Sequence, residues 1–142
     1  MANKIIWEST GTSRSTGISA AADLANGAGL LSSEIDNSTI LDKYLICQGQ
    51  FTPEHTDIVG PYYLYILYAA DGTNYEDGSA SVQPQKSPAA VFPVKAAASA
   101  QKVTTFRIEI EPFKFKLLYW NASGEQCDGN TLLAYTYNDE IQ

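Results

Sequence analysis

The run PYYLYILYAA, Pro61–Ala70, decides the fold. It is built from Tyr, Leu and Ile, residues that fit a pleated and half-buried surface. Its two alternating faces are both apolar. Tyr62 and Tyr68 share one face, and Tyr63 and Tyr65 share the other. A strand of this kind is either central in a sheet or carries an interface on its outer side.

Downstream, Asp71–Ala89 (DGTNYEDGSASVQPQKSPA) is a long loop punctuated by Gly and Pro. Loops of this length are uncommon and often functional. AVFPV reads as a short strand, and AAASAQ as a single helical turn. KVTTFRIEIE then alternates, and Thr104, Phe106, Ile108 and Ile110 are expected to face the core. In FKFKLLYW, Phe113, Phe115, Leu117 and Tyr119 share a face. A hairpin turned at Pro112 would set Glu109 and Glu111 against Lys114 and Lys116. NASGEQCDGN is a turn, and TLLAYTYNDEI is the closing strand.

Upstream, ILDKYLICQGQFT (Ile40–Thr52) reads as a strand with Leu41, Leu45, Cys47 and Phe51 on one face. The preceding SSEIDNST is a corner, because short Asp36 and Asn37 side chains bond to nearby backbone. Asn26-Gly27 is hairpin chemistry between strands near Thr16–Ala22 and Leu30–Ile35. TGTSRSTG is small and polar, a loop or arm. KIIWES is a short strand-like start.

About eight short strands separated by turn signals imply an all-β chain. The expected architecture is a single-domain antiparallel β-sandwich, jelly-roll-like. Residues 16–142 would form the sandwich. Residues 1–15 would be an N-terminal arm, or a first strand with a linker.

The chain has 142 residues, enough for one core without a disulfide or metal staple. Its net charge of −7 and dispersed basic residues argue against nucleic acid and anionic membranes as partners. No apolar run reaches the length of a membrane span. The start, MANKIIWEST, lacks a secretory core, so the expected place of synthesis is the cytoplasm. Sequons at Asn37 and Asn121 then carry little weight. Cys47 and Cys127 show no metal or redox spacing, and a reduced pair is expected.

Catalytic chemistry finds little to work with. The one histidine, His55, lies in a polar loop, and no serine sits in a G-x-S-x-G elbow. Asp71, Asn74, Glu76 and Asp77 could offer oxygens to calcium, but without EF-hand spacing. Glu109 and Glu111 share a strand face, where glutamates are ordinarily solvated. No catalytic residue, cofactor or metal ligand is assigned. The excess is in tyrosine, which suits protein contact or stacking on sugar rings. The interface candidates are Tyr62, Tyr63, Tyr65, Tyr68 and Tyr75, with Ile5, Ile6 and Trp7 as an N-terminal strand or arm.

Three segments together resemble small β-sandwich virion structural proteins of tailed bacteriophages. They are DLANGAGLLSSEIDNSTILDKYLICQGQF, YYLYILYAADGTNYEDG and FKFKLLYWNASGEQCDGNTLLAYTYND. The resemblance implies a non-enzymatic role in the virion, of the capsid decoration or cement type. The partners it implies are the major capsid protein or another virion protein, and sister subunits in a dimer or trimer. The alternative is a carbohydrate-binding or adaptor module of a collar, tail or fibre.

Overall fold

A computed structural model describes residues 4–7, 11–19 and 23–141. Two antiparallel sheets face each other. In the first, the order is β3 (Ala28–Leu31), β10 (Lys114–Asn121), β6 (Tyr62–Ala69) and β7 (Ala90–Phe92), and β4 (Ile35–Asp36) continues β3 along β10. In the second, the order is β2 (Thr12–Arg14), β11 (Cys127–Tyr137), β5 (Tyr44–Pro53) and β8 (Gln101–Thr104), and β9 (Ile108–Glu109) continues β8 along β5. Apart from these, β1 (Ile5–Trp7) pairs with β12 (Asp139–Ile141) in a two-stranded ribbon.

Counting β3 with β4 and β8 with β9, each sheet has four strands. The chain changes sheet at each connection between these eight strands except β6–β7. That alternation is the double Greek key of a jelly roll. The expected β-sandwich architecture therefore holds, with more and shorter strands than expected.

The core lies between the sheets. Leu45, Cys47 and Phe51 of β5 alternate inward, as read from the sequence. They meet Tyr62, Leu64 and Ile66 of β6 and Phe115, Leu117 and Tyr119 of β10. The Phe51 and Tyr62 rings stack at 4.6 Å, and Tyr62 lies 4.7 Å from Tyr119. Aromatic contacts at such distances add to simple area burial.

A second apolar cluster forms on the outside of the first sheet, from Tyr65, Leu67, Leu118 and Trp120. The long loop covers it. Pro84 is buried there, and Gln83 Nε2 donates to Tyr65 Oη at 2.7 Å. The same loop satisfies the edge of β6 beyond its short pairing with β7. Ala89 N–H donates to Leu64 O at 2.7 Å, Lys86 Nζ to Ile66 O at 2.8 Å, and Glu76 N–H to Tyr68 O at 3.0 Å. Asp71–Ala89 thus replaces a strand and a lid for the first sheet, which is why an irregular segment of this length is ordered.

Several local expectations are corrected. Thr12–Arg14, read as loop or arm, is the edge strand β2. Ser15–Ser19 is not strand, and 20–22 lie outside the described residues. Asn26-Gly27 does not close a hairpin: Leu24 bridges to Cys127 in the second sheet, while Ala28 onward joins the first. AAASAQ forms no helix. The one helical turn among the described residues, α1 (Asn37–Ile40), is capped by Asp36, whose carboxylate accepts from Ser38 N–H. It ends at Leu41, left-handed at φ 58° and exposed, so Leu41 does not line β5. Pro112 turns no hairpin either, since β9 and β10 belong to different sheets. Lys114 pairs instead with Glu34 at 3.5 Å, and Lys116 sits 4.5 Å from the Tyr75 ring.

Candidate functional site

The outer face of the first sheet is occupied by its own loop. Among the described residues, no such loop crosses the outer face of the second. Along β5, Tyr44 and Ile46 point outward opposite Tyr137 and Tyr135 of β11. Leu133 and Tyr135 are 42% and 40% exposed, so this end of the face carries exposed apolar side chains, and Gln48 and Gln50 continue it as a polar surface. Tyr137 is held down against Tyr44, ring centroids 5.3 Å apart.

The edge of this sheet is interrupted between β8 and β9. Thr104 lies opposite Gln48 and Ile108 opposite Leu45. Four steps on the edge strand thus match three on β5, a one-residue bulge. Thr105 fastens it: its N–H donates to Cys47 O at 2.8 Å, and its hydroxyl accepts from Cys47 N–H at 3.0 Å. The extra residue reverses the inward–outward phase. Val103 packs on the core before the bulge, and Ile108 and Ile110 do so after it. Phe106, expected in the core, is expelled and stands 95% exposed.

Phe106 borders an open cleft of about 730 Å³, lined also by Gly11, Ile46, Arg107, Tyr135 and Tyr137. The volume falls in the range of ligand and anchor-residue pockets. The Arg107 guanidinium carbon lies 4.4 Å from the Tyr44 ring centroid, a cation–π contact. Tyr44 Oη donates to Asp139 Oδ2 at 3.0 Å, which holds the phenol above its usual range. The cleft therefore has an apolar floor, a projecting aromatic and a positioned cation. Such a surface binds by burial and stacking.

The residues singled out from the sequence are dispersed. Tyr62 is buried in the core, and its hydroxyl donates to Asn130 Oδ1 at 2.8 Å. Tyr65 is buried under the loop, and Tyr63 is half-buried beside it. Of the expected outward tyrosine pair, Tyr65 is thus covered by the chain itself, and Tyr63 stays half-buried. Tyr68 is half-buried, and its hydroxyl accepts from Glu111 N–H at 3.1 Å. Tyr75 is half-buried and donates to Glu34; desolvation and that bond push the phenol up to about 12. Ile5 is exposed and Ile6 half-exposed on β1, which pairs with this chain's own β12; the Trp7 side chain lies outside the described residues.

His55 is exposed in its loop. Asp71 spends its carboxylate on Thr73 N–H, Asn74 N–H and the Asn74 amide. Among the described residues no three His, Cys, Asp or Glu side chains converge as a metal site. Both sequon asparagines are buried: Asn37 is 1% and Asn121 0% exposed. Phe106, Ile46, Arg107 and Tyr135 were not candidates from the sequence.

No family model and no curated protein matches the sequence. Among solved structures, the chain is similar to a family 35 carbohydrate binding module from an environmental isolate. The likeness covers 98% of this chain and 92% of that chain, at 15% identity and a TM-score of 0.39. The jelly-roll assignment stands on the strand order of this chain.

Proposed function

We propose that this chain is a non-enzymatic structural protein of a phage particle, and that it works by protein contact through the outer face of its second sheet. The observation that carries the binding reading is Phe106, 95% exposed and held by the Thr105 bulge beside an apolar cleft. Exposing a large aromatic from a fastened backbone has no packing benefit within the chain. Burying it against a partner contributes roughly 1.5–3 kcal/mol. Repetition over many copies on a shell converts such contacts into firm attachment. The phage setting rests on the resemblance of the three segments named above.

Co-sedimentation with intact phage heads is the test. Wild-type protein pellets with heads, and the F106D variant stays in the supernatant. Equal pelleting of both would remove the face from the account. Absence of wild-type pelleting with procapsids and expanded heads would remove decoration of the head.

A second reading is favoured by one further feature of the same cleft. Phe106 and Tyr135 offer aromatic faces next to the Arg107 guanidinium, a combination that suits a sugar ring. Calorimetric titration with neutral and acidic oligosaccharides decides it: saturable binding lost in F106D supports a carbohydrate module, and flat titrations dismiss it.

A further inference from the structure

We propose that, in solution and away from a shell, the Phe106 face pairs with the same face of a second copy of this chain, as a two-fold dimer. This deepens the reading of that face as a protein contact and rests on it. A two-fold contact requires one patch to be complementary to itself. The patch has a knob and a hole within a few residues: Phe106 projects, and the cleft beside it is lined by Ile46, Tyr135 and Tyr137. Phe106 of each copy can therefore enter the cleft of the other.

Charge supports the same occupant. The chain carries a net −7, so two copies repel at most relative orientations. Around Tyr44 the patch holds both signs. Arg107 lies on the ring, Glu109 is the cross-strand neighbour of Tyr44 on the outer face, and Asp139 accepts from the Tyr44 hydroxyl. Two like patches can meet with each cation facing an acid, whereas a patch of one sign would repel its copy. The bulge also keeps the edge of the second sheet from presenting a long regular ladder, which favours face docking over continuous sheet pairing.

The full chain is examined by sedimentation velocity over a hundredfold concentration range. Wild-type protein sediments as a dimer at tens of micromolar, and F106D as a monomer, its dissociation constant raised at least about 100-fold. R107E weakens the dimer about tenfold or more, and R107E combined with E109R restores it. Circular dichroism and melting confirm that each variant is folded, as expected for exposed positions. A wild-type monomer throughout the range, or a dimer unaffected by F106D, overturns the proposal. If the wild-type protein is monomeric yet F106D abolishes pelleting with heads, this inference falls and the proposed function stands. If the dimer depends on Phe106 but neither form pellets, the dimer stands and the head-binding role falls.

Discussion

The hydroxyl end of the Tyr119 ring in the first sheet packs against Gly49 in the second, closely enough that a Cβ at Gly49 would sit 2.7 Å from the hydroxyl oxygen and 3.1 Å from Cε2. The contact sets the distance between the sheets at their centre. Tyr119 cannot yield, because it is fully buried between Tyr62 and Phe92. Gly49→Ala is therefore expected to destabilise the chain by about 1–3 kcal/mol, the usual penalty for overpacking. Urea denaturation should show a lower midpoint with an unchanged slope. An unshifted midpoint would show that the sheets can part without cost.

The corner before β5 gives a second expectation. Asn37 Nδ2 donates to Asp42 O at 2.9 Å and to Glu111 O at 2.8 Å, and its Oδ1 accepts from Asp42 N–H at 3.0 Å. One buried amide thus ties the corner to the segment entering β10. Asn37→Ala leaves these backbone groups unpaired and is expected to cost about 2–4 kcal/mol. Ser38→Ala, on the exposed side of the same turn, should cost less than half as much. Thermal melts of the two variants compare them directly.

These two sites show what was legible. β5, β6 and β10 could be read because strict alternation and unbroken apolar faces are local properties. The turn chemistry of Asp36 and Asn37 was local too. The bulge at Thr105 was not: KVTTFRIEIE alternates without a break, and only the Cys47 backbone, far off in sequence, captures the Thr105 hydroxyl and shifts the phase. That single residue moves Phe106 from core to surface and creates the candidate site. The second bulge works similarly: Asp128 pairs with Thr52 but Thr131 with Gln50, with Gly129 left-handed at φ 59°. Its two intervening residues turn Asn130 inward to Tyr62. The covering of Tyr65 was equally hidden, since nothing in a Gly- and Pro-rich loop says which face it will cross.

The cysteines supply a third expectation. Cys47 lies opposite Ala134, while Cys127 lies opposite Pro53 near the other end of the same pairing, so they cannot bond. Both are free and buried, and burial pushes the Cys47 thiol up to about 12. Native protein at pH 8 should give no reaction with a thiol reagent over minutes, and two thiols per chain after guanidinium unfolding. Rapid labelling of the native state would contradict the burial.

Acid should loosen one end of the loop before it unfolds the sandwich. The Asp71 carboxylate accepts from Asn74 N–H at 2.7 Å and Thr73 N–H at 2.9 Å, and these bonds lower its value from 3.8 to about 2. A depressed folded value means that the ionised form is the one the fold favours. The stabilisation is complete above 3.8 and fades as pH falls through about 2. Between those limits the turn at Asp71 should open while β6 and β10 stay protected. Carboxyl carbon shifts and amide exchange at Thr73 and Asn74 measure this. In Asp71→Asn both amides should exchange faster at neutral pH, and their protection should no longer change with acid. Protection of these amides, relative to their intrinsic exchange rates, that does not change between pH 5 and pH 2 in the wild-type chain would mean that Asp71 does not hold the turn.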